Sequence, residues 1–191
     1  MADALNVLIV GVGGQGTILA GKVLARVAVL SGKDVKFSEI HGMAQRGGSV
    51  VTQVRIGDAV HSPTIDPACA DFLLAFEQLE GLRWAHMLRP GGTIIVSTQR
   101  IDPATVLMGV AVYPSDVLEQ LALRGVVVAL DALEMACAVG NSKASNVVLL
   151  GRLARGLGLS RDLWEQALRD VIPARHLEVN EAAFAAGWSS K

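Results

Sequence analysis

Cysteine is scarce in this chain of 191 residues: Cys69 and Cys137 lie far apart and belong to no C-x-x-C pair. Two such thiols cannot by themselves ligate an iron–sulfur cluster or build a structural zinc site, and the simplest reading of each is a buried thiol. The four histidines, His41, His61, His86 and His176, lack H-E-x-x-H or H-x-H spacing, so no metal site is expected. Charge is sparse too, at 18% of residues with a net charge of −1. That removes the general electrostatic footprint by which a protein approaches nucleic acid or an anionic membrane surface. No stretch approaches the roughly 18 uninterrupted apolar residues that span a bilayer. The start of the sequence carries Asp3 and no basic region, so it does not read as a secretory signal, and the expected compartment is the cytoplasm.

Apolar residues, by contrast, make up 51% of the chain. A parallel sheet covered on both faces absorbs part of that excess, and an exposed apolar patch awaiting a partner subunit accounts for the rest. The length suits one well-buried domain, expected to occupy residues 1–191.

The segment 5–10 is a short Val- and Ile-rich run ended by glycine, which suits a buried central strand. "TILAGKVLARVAVLSG" then puts Ile18, Leu19, Val23, Val27 and Leu30 on one broad helical face, with Gly32 as its stop. "DVKFSEI" reads as a second strand completing a βαβ unit. "VVTQVRIGDAVHSPTI" reads as a hairpin turning at Gly57-Asp58. "ADFLLAFE" and "PGGTIIVST" are strands around the helix "QLEGLRWAHML". "VLMGVAVYPSD" and "RGVVVALDALEMACAVG" each offer a β-rich run, with the short helix "DVLEQLALR" between them, capped by Ser115 or Asp116. The remainder, "SNVVLLGRLARGLG", "SRDLWEQALRDVI" and "HLEVNEAAFAAGWS", is helical by spacing. The pattern predicts an α/β fold: a Rossmann-like open, mostly parallel sheet with a β-hairpin insertion and a helical C-terminal segment.

Gly11-Val12-Gly13-Gly14-Gln15-Gly16 joins the first strand to the first helix. Glycines there permit unusual backbone angles and close packing, and the helix end offers N–H groups and a positive dipole to an anion. The pattern matches G-x-G-x-x-G, and Glu39, roughly 20 residues on, stands where a ribose-binding carboxylate is sought. A nicotinamide site and a purely structural turn both remain open on this motif. Gly16 to Lys22 also spells G-x-x-x-x-G-K, but Val23 replaces the Ser or Thr that would meet Mg²⁺, so a phosphate loop is rejected and Lys22 is assigned to the helix surface.

The polar segment "SEIHGMAQRGGSV" crowds Glu39, His41, Arg46, Gly47 and Gly48 together. Arg46 can grip a carboxylate or phosphate bidentately, the glycines admit close backbone approach, and His41 can orient a neighbour or carry a proton. Glu39 and His41 are therefore the candidate catalytic residues. A solvated loop in which Glu39 pairs with Arg46 is the alternative.

Together, "GVGGQG" and "EIHGMAQRGGSV" resemble the gamma domain of pyruvate/2-oxoacid:ferredoxin oxidoreductases, in the form of the small beta subunit of the indolepyruvate branch. "NVVLLG" from Asn146 to Gly151 and the tail "EVNEAAFAAGW" are similar to later motifs of that family, so the likeness covers nearly the whole chain. The resemblance implies CoA-dependent oxidative decarboxylation of a 2-oxoacid, with arylpyruvates as the substrates of this branch. It places thiamine diphosphate, Mg²⁺ and [4Fe-4S] clusters in a larger alpha subunit, with electrons passing to ferredoxin. This chain has no thiamine-binding G-D-G…N pattern, so it is expected to bind none of these cofactors alone and to be inactive alone. The resemblance also implies that Gly11, Gly13, Gly14, Gln15, Gly16, Arg46, Gly47, Gly48 and Asn146 form a ligand or interface surface beside the partner's active site. The rival readings are a free-standing NAD(P)-binding oxidoreductase and a non-catalytic scaffolding domain.

Overall fold

The computed structural model describes residues 4–43 and 46–190. In chain order the elements are β1 (Leu5–Val12), α1 (Thr17–Leu30), β2 (Asp34–His41), β3 (Ser49–Gly57), β4 (Ala70–Ala75), α2 (Gln78–Trp84), β5 (Leu88–Ser97), α3 (Ala104–Leu107), α4 (Val117–Ala122), β6 (Val126–Leu130), α5 (Ala132–Ala138), α6 (Ser145–Leu157), α7 (Arg161–Val171) and α8 (Ala174–Ser189). The six strands form one sheet in the order β2-β3-β1-β4-β5-β6. β1, β4, β5 and β6 run parallel, while β3 lies antiparallel between β1 and β2. The expected open α/β sheet is present.

β1 is the central strand because both of its faces are apolar. Val7 and Ile9 enter one core with α1 and the C-terminal helices, while Leu8 and Val10 enter the other with Leu121 and neighbouring residues. All four side chains are fully buried, as a strand covered by helices on both sides requires. The first core is closed by Trp164 of α7 and Phe184 of α8, whose rings stack with centroids 5.9 Å apart. The second, smaller core is covered by α2 and α4.

Three local expectations are corrected. A hairpin exists, but it joins β2 to β3 across residues 42–48, with Asp34 opposite Gly57 and His41 opposite Val50. The Gly57-Asp58 turn leads instead into irregular chain, because β3 finds its second partner in β1, from Leu5↔Ile56 to Val12↔Ser49. The two strands of the expected βαβ unit are consequently separated by β3. The run "VLMGVAVY" forms no strand: Ala104–Leu107 is one turn of helix, and Leu107 to Val112 are exposed with no ladder to join. Finally, Cys69 and Cys137 are exposed rather than buried.

Candidate functional site

The carboxyl ends of β1, β4 and β5 meet where the chain winds away from β1 in opposite directions, the place where open α/β sheets hold ligands. In this protein one side of the crevice is bridged from within. The Gln15 Oε1 atom accepts a hydrogen bond from the Val12 N–H (2.8 Å), and its amide donates to Phe76 O and Gln99 Oε1, each at 3.0 Å. One side chain thereby braces the glycine turn against the segments following β4 and β5. Gly11 permits this brace, since a side chain there would press on Gln15 Oε1 and Phe76 Cβ.

The hairpin loop closes over the same turn. Gly13 N–H donates to Gly48 O (2.8 Å) and Gly47 N–H donates to Gly13 O (3.2 Å). Of these groups the Gly13 N–H is one that a dinucleotide pyrophosphate could accept from at such a turn, and here it is bonded within the protein. Gly16 takes a left-handed conformation (φ 87°) as the N-cap of α1, and no side chain caps the helix. Its first-turn N–H groups keep the partial positive charge of an uncapped end.

Beside that end lies a cavity of about 310 Å³ lined by Gly13, Gly14, Gly16, Ile18, Glu39 and His41, among others. Glu39 is half-buried and accepts a long hydrogen bond from Thr52 Oγ1 (3.4 Å); His41 is exposed and contacts Gly42 O. Two of the polar candidates thus meet the glycine turn in one cavity. A carboxylate already stands near the helix end, which weakens that end as a site for a free anion. Arg46 lies exposed on the hairpin loop and is not among the residues lining this cavity; Ala44 and Gln45 of the loop lie outside the described residues. Asn146 is buried at the start of α6, where its amide donates to Gly16 O (3.3 Å) and its Oδ1 accepts from Val147 N–H (2.9 Å). Its present contacts make it a strut for the turn.

Four residues escaped the sequence reading because their partners are distant in the chain. Glu77 is buried, caps α2 by accepting from Glu80 N–H (2.9 Å), and also accepts from Ile101 N–H (3.2 Å) and the Tyr113 hydroxyl. Tyr113 OH in turn accepts from Leu79 N–H (3.2 Å). Burial, reinforced by the Glu77 carboxylate, holds the Tyr113 hydroxyl well above its ordinary pKa. One helical turn on, Glu80 accepts from the Ser49 hydroxyl and from Arg83 Nε (3.2 Å), which fixes the hairpin loop where it enters β3. Gln99 is the fourth, as the partner of Gln15. The one local hint was the acidic pair Glu77 and Glu80 directly after an apolar strand, at capping spacing.

The brace makes a testable demand at Gly16. An alanine there suffers the left-handed backbone strain of about 1–2 kcal/mol, and its Cβ would also collide with the Asn146 amide. Gly16→Ala is expected to lower stability by about 2 kcal/mol in denaturant unfolding. In an Asn146→Ala background the steric part disappears and the same change should cost about 1 kcal/mol. An equal cost in both backgrounds would show that Asn146 does not press on the turn.

The fold and site define an α/β domain whose dinucleotide-like turn is braced by its own protein on one side and borders a cavity on the other. Residues 6–190 match the pyruvate ferredoxin/flavodoxin oxidoreductase family, and the chain belongs to that family. It is 38% identical to indolepyruvate oxidoreductase subunit IorB of Pyrococcus horikoshii, over 95% of this chain and 93% of that one. The keto/oxoacid ferredoxin oxidoreductase gamma subunit from Geobacter sulfurreducens superposes with a TM-score of 0.73 at 27% identity, covering 96% of each chain. Ketoisovalerate oxidoreductase subunit VorA of Methanothermobacter marburgensis is 31% identical over 98% of this chain but only 37% of its own length. In that relative, a unit like this one is part of a longer polypeptide.

Proposed function

We propose that this chain is the small subunit of a cytoplasmic 2-oxoacid:ferredoxin oxidoreductase of the indolepyruvate type, assisting CoA-dependent oxidative decarboxylation of arylpyruvates by a larger alpha subunit. The carrying observation is the braced turn: Gly13 is bonded to the hairpin loop, and Gln15 ties the turn to the segments following β4 and β5. A free-standing dehydrogenase would keep the Gly13 N–H free for its nucleotide. The near end-to-end likeness to indolepyruvate oxidoreductase small subunits supports the same reading. This chain's donor set does not fit an iron–sulfur cluster, since its only two cysteines are separated by β4, α2, β5, α3, α4 and β6, one preceding β4 and one on α5. Thiamine diphosphate, Mg²⁺ and the [4Fe-4S] clusters are therefore assigned to the alpha subunit, as are the chemical steps and electron delivery to ferredoxin. Neither nucleic acid nor membrane has a part in this reading. In one domain spanning the chain, the role of this subunit is to present Glu39, His41, Arg46 and the braced turn to the partner's active site.

Reconstitution tests it. Reduction of a low-potential acceptor by an arylpyruvate and CoA is expected from the two-subunit complex and not from either subunit alone. Turnover by this chain alone would overturn the assignment, as would full activity of the large subunit without it. Titration of the isolated chain with NADH should give no saturable heat; a micromolar dissociation constant, about −8 kcal/mol, would restore the dehydrogenase reading. In the same assay Arg46→Lys separates planar recognition from simple charge, because lysine keeps the charge and loses the fork.

A further inference from the structure

Residues 101–113 leave the sheet after β5 and return before α4, and both ends of the excursion are tied to one atom. Glu77 Oε1 accepts from Ile101 N–H and from the Tyr113 hydroxyl, while Arg100 stacks over the Tyr113 ring, 4.3 Å from its centroid. The loop is self-supporting: Met108 N–H donates to Ala104 O, and both Val110 and Ala111 N–H donate to Thr105 O. This is a compact loop of the Ω type, closed at its neck. From Pro103 to Pro114 it contains no charged residue. It holds Leu107, Met108, Val110 and Val112 in water at 69–90% exposure. Scattered apolar side chains on a surface are ordinary, but four from one preformed loop make a contiguous patch of the kind that marks an interaction site.

Its position is as informative as its composition. Glu77 and Glu80 stand one turn apart at the start of α2. Glu77 holds the neck of this loop, and Glu80 holds Ser49 at the exit of the hairpin loop, near which Ile40 at the end of β2 and Met43 in the loop are exposed. One short helix thus ties the apolar 101–113 loop to the same carboxyl edge of the sheet as the hairpin and the Gln15 brace. In the Methanothermobacter marburgensis relative, a unit like this one makes up only about a third of a longer chain, so such a unit is built to be joined by further protein.

We propose that the 101–113 loop is a docking element for the large, thiamine-dependent subunit. This rests on the functional reading above and extends it to a specific surface. A rigid apolar loop suits such a role because little side-chain or backbone freedom is lost when it is covered. The absence of charge between Pro103 and Pro114 implies an apolar counter-surface on the partner.

The test uses the full chain and the purified large subunit. Met108→Glu/Val110→Glu places two charges on exposed positions that carry no core packing, and Val29→Glu, half-exposed on α1, serves as the control. The double variant should melt like wild type yet bind the large subunit with a Kd raised at least roughly tenfold, while Val29→Glu binds normally. Amides 104–112 should gain hydrogen-exchange protection only in the complex. Equal binding by wild type and the double variant, with no added protection, would overturn the docking assignment and leave the functional reading intact. Failure of the wild-type chain to bind would overturn both. A wild-type homodimer that the double variant converts to monomer would assign the loop to a second copy instead, and so also overturn the proposal.

Discussion

Gly187→Ala is expected to destabilise the isolated chain by about 3 kcal/mol or more, lowering its melting temperature by roughly 6–12 °C. The reason is a helix pair with no room for a methyl group. A Cβ at Gly187 of α8 would fall inside the van der Waals envelope of the Val148 carbonyl of α6, and one at Gly151 of α6 would meet the Phe184 carbonyl and the Trp188 N–H of α8. Both obstacles are backbone, so no rotamer change relieves them and the helices must separate. Separation would open the core beneath, where Leu150, Leu153, Ala183 and Phe184 are fully buried or nearly so, adding a cavity term to the clash. Gly151→Ala should behave alike. Chemical denaturation of both variants checks this, and no loss of stability, or the gain of about 1 kcal/mol that helix propensity gives Gly→Ala at an uncrowded helical site, would mean the helices do not touch at these glycines.

The same contact gives a physical sense to two motifs that the sequence offered only by resemblance. "NVVLLG" and "AAFAAGW" are the two sides of one glycine-mediated helix crossing. Asn146, the first residue of the former, reaches Gly16 at the opposite end of the first core. The motifs therefore form one mechanical line, from the α8 tail through α6 to the glycine turn.

Legibility in the sequence followed how local each cause was. β1, α1, β4, β5 and the C-terminal helices were readable because their period and their glycine or proline ends are written within a dozen residues. The partner of β3 was not. Its alternation is equally compatible with a hairpin at Gly57-Asp58, and the choice is made by eight consecutive pairings with β1, from Leu5↔Ile56 to Val12↔Ser49, far away in sequence. "VLMGVAVY" read as a strand because propensity favours it, but a strand needs a ladder, and Glu77 and Tyr113 hold this segment away from any sheet edge. The cysteines were expected in the core from their usual behaviour, yet Cys69 precedes an edge of β4 and Cys137 falls on the outer face of α5. At the site, the glycine turn and the Glu39–His41 strand end were legible as a place. That Gln15 and the hairpin loop occupy it was not, since Phe76, Gln99 and Gly48 are distant in sequence.

Glu77→Ala is expected to have the largest effect at the carboxyl edge, about 4 kcal/mol, because it removes the acceptor for three donors at once. Glu80 N–H, Ile101 N–H and the Tyr113 hydroxyl would each lose a bond, and an unsatisfied buried donor costs about 1–3 kcal/mol, with entering water offsetting part of the sum. Glu77→Gln keeps the shape and one acceptor oxygen but turns an NH₂ toward one of the donors, so about 1–2 kcal/mol is expected. Tyr113→Phe loses only the hydroxyl and should cost about 1 kcal/mol at neutral pH. The pH dependence then identifies the network. Tyr113 has a folded pKa raised above its unfolded value, so its contribution is fully present below about pH 10 and is lost as the pH climbs through the raised folded value. Wild type should lose stability in that alkaline window, and Tyr113→Phe should lose less, so that their curves converge. A purely structural phenylalanine-like role would leave them parallel. Glu77→Ala should also release the loop neck, raising amide exchange across 104–111 and weakening the complex even though Glu77 itself is buried away from any partner. Unchanged exchange in that loop, with melting within about 1 kcal/mol of wild type, would show that this carboxylate does not hold it.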